Sequence, residues 1–302
     1  MAKNIKLDMS EGSENSCPMA NRLIGRRQLI GGSAALLTCM HLPVALADLD
    51  FDDPDDLLTA AVKLRGTLDD RMVIWWMKGV RYGVVKDELN PLFNMLVGSF
   101  SRYKEVPGRG YQVTMLELGY LTDLETGEPL DEFKNPYTGK IVTVPEQRLG
   151  PLPVMLTSSG VEIDTGASFA AIDLKTRLGP AIVDGDDIWL REDSTAKVDS
   201  DLPMMGKHVY NELVTYRGRV SDVNNPDLAA APATVTYQSV TSWREWFESG
   251  GIPGHTTARA AGKKIFSVEQ FPADYLAAAQ ARHPEIIEDP EAALDAPPAA
   301  AH

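Results

Sequence analysis

The sequence predicts a mainly β protein, an antiparallel meander that curls or closes into a barrel of lipocalin-like architecture with a few short helices. Three observations carry this reading. The run Val73–Val85 (VIWWMKGVRYGVV) is dominated by β-branched and aromatic residues and contains no proline. Val73, Trp75 and Met77 share one of its faces; Ile74, Trp76, Val80, Tyr82 and Val84 share the other with Lys78, so both faces need cover. Tight-turn signals also recur at short spacing, which is the pattern of up-and-down β structure.

The elements follow in order. Asp52-Asp53-Pro54-Asp55-Asp56 precedes apolar residues at 57, 58, 61 and 62, which predicts a short amphipathic helix stopped by Gly66. Gly79 and Gly83 mark places where the long strand bends or a neighbour approaches closely. A run from Asn90 to Phe100 and a strand over 111–121 come next. Asp123-Leu124-Glu125-Thr126-Gly127-Glu128 and Asn135-Pro136-Tyr137-Thr138-Gly139-Lys140 are turns whose Gly supplies positive φ, the second flanked by strands at 129–133 and 141–144. Residues 145–153 are proline-rich and read as irregular. Further strands are expected at 161–163, 181–183, 188–191, 207–219 and 234–241, with loops over 194–205 and 222–232. Trp243, Trp246 and Phe247 have helical spacing, and a last helix is expected from about Pro272 to Arg282.

Three segments are expected: a leader over 1–47, one barrel-like domain over 48–285, and a disordered acidic Ala/Pro tail over 286–302. The leader carries Arg26-Arg27, an uncharged run to Ala47 and an Ala45-Leu46-Ala47 end, the features of a twin-arginine export signal. Its apolar run is shorter than the roughly 20 residues needed to span a bilayer. A periplasmic or secreted protein delivered by the twin-arginine export machinery is therefore expected, with no membrane span after cleavage. Both cysteines, Cys17 and Cys39, fall in the leader, so the remaining chain has no thiolate nucleophile and no disulfide. Its 24 basic residues face 40 acidic ones, a net of −16 that disfavours nucleic acid as a partner.

Several short motifs are similar to a known family. They are Lys63-Leu64-Arg65-Gly66-Thr67-Leu68-Asp69, Trp75-Trp76-x-x-Gly79, the two turn segments at 122–128 and 135–139, Trp243-Arg244-Glu245-Trp246 and Ala261-Gly262-Lys263-Lys264. On these, the stretch from about 50 to 285 resembles the uncharacterised bacterial and fungal family known as domain of unknown function 1838. That resemblance implies no activity and assigns no catalytic residue.

The chain contains no Gly-x-Gly-x-x-Gly, P-loop, Gly-x-Ser-x-Gly or His-Glu-x-x-His pattern, so no cofactor and no metal site is expected. The strongest constellation is the strand at 207–219. His208, Tyr210, Glu212, Val214 and Tyr216 share one face, which either lines a barrel interior or faces solvent while Val209 and Leu213 pack inward. His208 and Glu212 lie roughly 13 Å apart on an extended strand, so they bracket a ligand rather than chelate one ion. Glu117, on a face with Val113, Met115 and Leu121, is either paired with Arg81 or Arg102 or held towards its acid form for general acid work. His255, in a glycine-rich loop, is a third acid–base candidate. Trp75, Trp76, Tyr82, Tyr120, Tyr210 and Tyr216 would supply an aromatic wall for a small hydrophobic or aromatic ligand. Three functions fit: an exported enzyme using acid–base chemistry without a redox cofactor (hydration, isomerisation or lyase type), a non-catalytic binding protein, or an envelope interaction protein with a solid core.

Overall fold

The computed structural model describes residues 48–163, 170–200 and 206–297. The expected export signal over 1–47 lies outside the described residues. Everything below belongs to the compact unit that begins at Leu46.

The chain enters through α1 (Pro54–Arg65). The Asp53 side chain accepts from the Asp55 and Asp56 amides, Pro54 occupies the first turn, and Gly66 ends the helix. Three long strands follow, β1 (Val73–Val85), β2 (Glu88–Val106) and β3 (Gly110–Thr122), then a small hairpin of β4 (Glu132–Lys134) and β5 (Ile141–Thr143). The remaining strands are β6 (Gln147–Thr157), β7 (Gly160–Ile163), β8 (Ala170–Leu178), β9 (Ile182–Asp184), β10 (Asp187–Ser200), β11 (Lys207–Arg219), β12 (Thr234–Ser242) and β13 (His255–Ile265). A short α2 (Val220–Asn224) follows β11, and α3 (Ala273–Arg282), α4 (Pro284–Glu288) and α5 (Pro290–Asp295) end the described chain.

All strands except β4 and β5 join one antiparallel sheet, in the order β7-β6-β3-β2-β1-β13-β12-β11-β10-β8 with β9 on β10. The first and last strands of that path meet through a side chain. Thr176 Oγ1 accepts from the Val161 amide at 2.5 Å and donates to the Val161 carbonyl at 2.9 Å. The result is a nearly closed barrel, as the doubly apolar β1 required. At Gly79 an added Cβ would lie 2.1 Å from the Arg259 carbonyl, so the neighbouring strand does approach closely there. The turns at Gly127 and Gly139 have φ of 74° and 71°.

Both faces of β1 are covered, by different means. Inside, α1 closes one end of the barrel: Ala60, Ala61 and Leu64 pack with Trp75, Ile188, Leu190 and Val235. Its C-terminal carbonyls are satisfied by Lys264, whose Nζ donates to Lys63 O at 2.7 Å and Gly66 O at 2.8 Å. At the opposite end, the β4–β5 hairpin and a single turn at Glu245–Phe247 bring Phe133, Trp246 and Phe247 onto Phe93. Asn135, fully buried, ties them together: its side-chain oxygen accepts from the Tyr137 amide and its nitrogen donates to Phe247 O at 2.6 Å. Outside, Ile74, Leu96, Phe100, Leu116 and Leu118 pack beneath Phe271, Tyr275, Ile286 and Leu294 of the C-terminal helices.

The structure differs from the sequence expectation in several places, among them β8, which the sequence did not signal, and α2, which enters the expected loop over 222–232. Residues 145–153 are not irregular: most belong to β6, whose prolines pass beside a register shift between Met115 and Glu117. The expected loop over 194–205 is β10 as far as Ser200, with Ala196 and Val198 buried between outward charges. Residues 255–265 form β13, whose inward Thr256, Ala258 and Ala260 are too small to signal a strand. The tail is ordered through Asp295. Ile286, Ile287 and Leu294 are buried, and Arg102 pairs with Glu291 and Asp295. Spaced apolar anchors, not average composition, decide that outcome.

Candidate functional site

Alternation along each strand sends every second side chain into the barrel. There they enclose a cavity of about 370 Å³. Much of its wall is apolar, from Trp75, Met77, Phe93, Met95, Leu121 and Leu149, but polar and ionisable groups share it, among them Arg65, Arg81, Glu117, Glu192, His208, Tyr210, Glu212, Tyr216, Tyr237 and Arg244. The sequence left two orientations open for β11, and the structure decides between them. His208, Tyr210, Glu212 and Tyr216 face the cavity, while Val209 and Leu213 are 41% and 47% exposed on the outside.

The α1 end of the cavity is electrostatically closed. Arg65 leaves the last turn of α1 and its Nη1 meets Glu192 Oε2 on β10 at 2.5 Å, with both side chains largely buried. Its backbone carbonyl accepts from Trp75 Nε1 at 2.6 Å, and Trp75 lies against Tyr216 with ring centroids 5.3 Å apart. Glu192 and Arg65 satisfy each other.

Glu212 is treated differently. Tyr210, two residues earlier on the same face, donates its hydroxyl to Glu212 Oε2, and the Tyr237 hydroxyl lies 2.8 Å from that of Tyr210. Burial raises the Glu212 pKa to about 7, helped by the nearby charges of Glu192 and Glu117 and opposed by the Tyr210 hydrogen bond and Arg65. The same burial, with Glu212 adjacent, holds the Tyr210 hydroxyl well above its ordinary range. Glu212 is thus a carboxyl that exchanges a proton near neutrality, linked to two phenols that stay protonated.

Glu117 lines the cavity. Neither arginine proposed as its partner closes on it: Arg102 is engaged by the outer helices, and Arg81 acts only at longer range. Burial therefore raises its pKa, with Arg81 opposing. Deep placement coexists with partial exposure because its side chain borders the cavity rather than packed core.

His208 sits at the rim of this group, buried, with Arg244 Nη1 2.6 Å from its Nε2 and 2.9 Å from its Nδ1. A guanidinium only donates, so Arg244 engages the ring through a nitrogen that carries a lone pair. Nδ1 also lies 3.4 Å from the Gly206 carbonyl. Arg244 itself is shifted down to about 10 by burial and by the charge of Arg81, and so remains a cation at neutral pH.

Not every sequence candidate joins this site. Trp75 and Tyr216 do, at the α1 end. Trp76 faces the outer helical layer, with Nε1 buried and lacking a hydrogen-bond partner among the described residues. Tyr120 borders the cavity, but its ring and hydroxyl engage the outer layer, the hydroxyl 2.9 Å from His283 Nδ1 and the ring against Tyr275. Tyr82 and His255 are half-buried and do not line the cavity. Sequence reasoning missed Arg65, Glu192, Tyr237 and Arg244 as site residues. Alternation held the signal for two of them: Glu192 lies in step with Leu190, Ala196 and Val198, and Tyr237 with Val235.

A family model described as a protein of unknown function, DUF1838, matches residues 69–150 and 193–301, more than half of the chain. The chain belongs to that family. The match extends beyond the expected end near 285 and leaves out 151–192, the stretch that forms most of β6 and all of β7 to β9. Arg81, Glu117, His208, Tyr210, Glu212, Tyr237 and Arg244 fall inside the matched segments. No curated protein and no solved structure matches the chain. Among the described residues, no helix is long and apolar enough to cross a membrane, and no group of three or more His, Cys, Asp or Glu is placed to hold a metal ion.

Proposed function

We propose that this protein is an exported enzyme that moves protons on a small, largely apolar molecule held inside the barrel, in a hydration, isomerisation or lyase-type reaction. The observation that carries the reading is the hydrogen-bonded chain Glu212–Tyr210–Tyr237 lining the cavity inside the barrel. Glu212, titrating near pH 7, is the general base: it takes a proton from the bound molecule and is left as a neutral carboxyl. Returned to another atom of the same molecule, that proton completes an isomerisation; delivered to a leaving hydroxide, it completes a dehydration. Tyr210 donates to the carboxylate form of Glu212, and Glu117, kept towards its acid form by burial, is the second proton donor. His208, buried and held against Arg244, orients the site. The apolar wall supplies binding and keeps competing water out. The paired arginines at 26 and 27 and the Ala45-Leu46-Ala47 end support delivery through the twin-arginine machinery to the periplasm or medium.

The test is an incubation of the purified protein with a small-molecule extract of its own host, followed by mass spectrometry over time. Wild type is expected to consume one compound and yield an isomer or a product differing by one water, and Glu212→Gln to retain that compound unchanged. A compound held unaltered by both proteins would make the barrel a binding protein instead.

A further inference from the structure

The outside of the barrel is finished in two ways. Over β1 to β3 the C-terminal helices bury Ile74, Phe100 and Leu116. Over β11 and β12 the outward aliphatics stay open: Val209, Leu213 and Val240 are 41%, 47% and 41% exposed. A wet sheet face ordinarily turns polar residues outward, and these three are grouped rather than scattered. Val209 and Leu213 flank Asn211 on one face of β11, and Asn211 stands in register with Val240 on one side and Thr195 on the other. The polar groups at the centre are already bonded within the sheet. Thr195 Oγ1 donates to Asn211 Oδ1 at 3.0 Å, and Asn211 Nδ2 donates to the Val240 carbonyl at 3.3 Å, so covering them costs little.

The charges beside this patch are self-complementary. Glu192, Ser194, Ala196 and Val198 of β10 line the cavity, so the outward face of that strand reads Arg191, Asp193, Thr195, Lys197, Asp199. Each charge before Thr195 has its opposite at the same distance after it. A two-fold axis in the plane of this face, crossing the strands through Thr195, Asn211 and Val240, exchanges the two ends of every strand. A second copy related by that axis sets its Leu213 over Val209, its Lys197 over Asp193 and its Asp199 over Arg191, and each contact occurs twice. On β8, at the rim, Asp173 and Arg177 repeat the pattern; Lys175 between them meets its own copy, with a long side chain that reaches solvent there. We infer that this face is a homodimer interface, with a second copy of the chain seated on the outside of β10 to β12. A contact three strands wide and five outward residues long, about 10 Å by 27 Å, is small, so a micromolar dimer is expected. The cavity and its proposed chemistry play no part in it.

The experiment is sedimentation velocity on the purified protein at concentrations from about 1 to 100 μM. A monomer–dimer equilibrium that weakens as salt rises is expected. Lys197→Asp makes positions 193 and 197 both acidic, and Asp193→Lys makes both basic. Because the axis repeats every contact, each variant should dissociate at least about ten-fold more readily than wild type. Mixed in equal amounts, the two variants set acid against base at all of these contacts and should restore a dimer containing one of each. Leu213→Gln, which leaves the charges alone, should also weaken the dimer, and it decides if a charge variant fails to fold. Wild type that stays monomeric over the whole range would overturn the inference. So would a dimer indifferent to both charge reversals or to Leu213→Gln, or a mixture no more associated than its two components.

Discussion

Glu192 and Glu212 lie on adjacent strands, face the same cavity and are both removed from bulk water, yet their surroundings differ. Glu192 meets a guanidinium at 2.5 Å and is locked as a structural ion. Glu212 meets a phenol, a neutral donor that cannot compensate the lost hydration of a carboxylate, and its pKa rises to about 7. The α1 end of the barrel is therefore a plug with its charges paired, and the β11–β12 wall carries a buried carboxyl bonded to a phenol. One donor type in place of another separates a stabilising contact from a chemical one.

The largest expected effect falls on the plug. Arg65→Met leaves Glu192 buried without its cation and should cost about 3–5 kcal/mol in urea unfolding. Arg65→Met combined with Glu192→Met should recover most of that loss. A small effect of the single change would mean that Glu192 is as adaptable as Glu212, and the contrast would collapse.

Next comes the outer layer, which supports the barrel without touching the site. Leu294, on α5, is 2% exposed. Leu294→Ala should lower stability by about 2 kcal/mol or somewhat more, with ligand affinity unchanged. A neutral result would show that α5 rests on the barrel without contributing to its stability.

Glu212→Gln acts through pH. The folded pKa of Glu212, about 7, lies above its ordinary 4.5, so between these values the folded state holds more protons than the unfolded one. Stability from this group is complete below about pH 4.5 and is lost as pH rises towards 7. Glu212→Gln should flatten that decline and be more stable than wild type at pH 8, as followed by unfolding midpoints across pH. An unchanged slope would place Glu212 with the ordinary surface carboxylates. The smallest effect belongs to an exposed pair: Lys78 and Asp274 meet at 2.5 Å with both side chains well exposed. Lys78→Ala should change stability by no more than about 0.5 kcal/mol.

Much of the barrel was legible because β1, β3 and β11 carry large residues at strand spacing, and because Asp-Gly and Thr-Gly turns separate them. β13 was hidden by small inward residues, and the far half of β10 by charges on its outer face. The helix over 273–282 was legible, but α4 and α5 were missed because three apolar anchors sit in a stretch rich in Ala, Pro and acids. The site was half legible. Alternation predicted that His208, Tyr210, Glu212 and Tyr216 act together, but no local signal says whether such a face turns in or out. Arg65 and Arg244 lie beyond strand ends, and only the three-dimensional path of the chain brings them to Glu192 and His208.

The most direct test is a carboxyl-detected NMR titration of protein labelled at the glutamate side-chain carbon, with Glu212→Gln used to assign the resonance. The account predicts a Glu212 midpoint near pH 7, well separated from the surface glutamates. A midpoint at the ordinary value near 4.5 would show that the Glu212 carboxylate is as well compensated as that of Glu192, and would remove the chemical role from the β11–β12 wall.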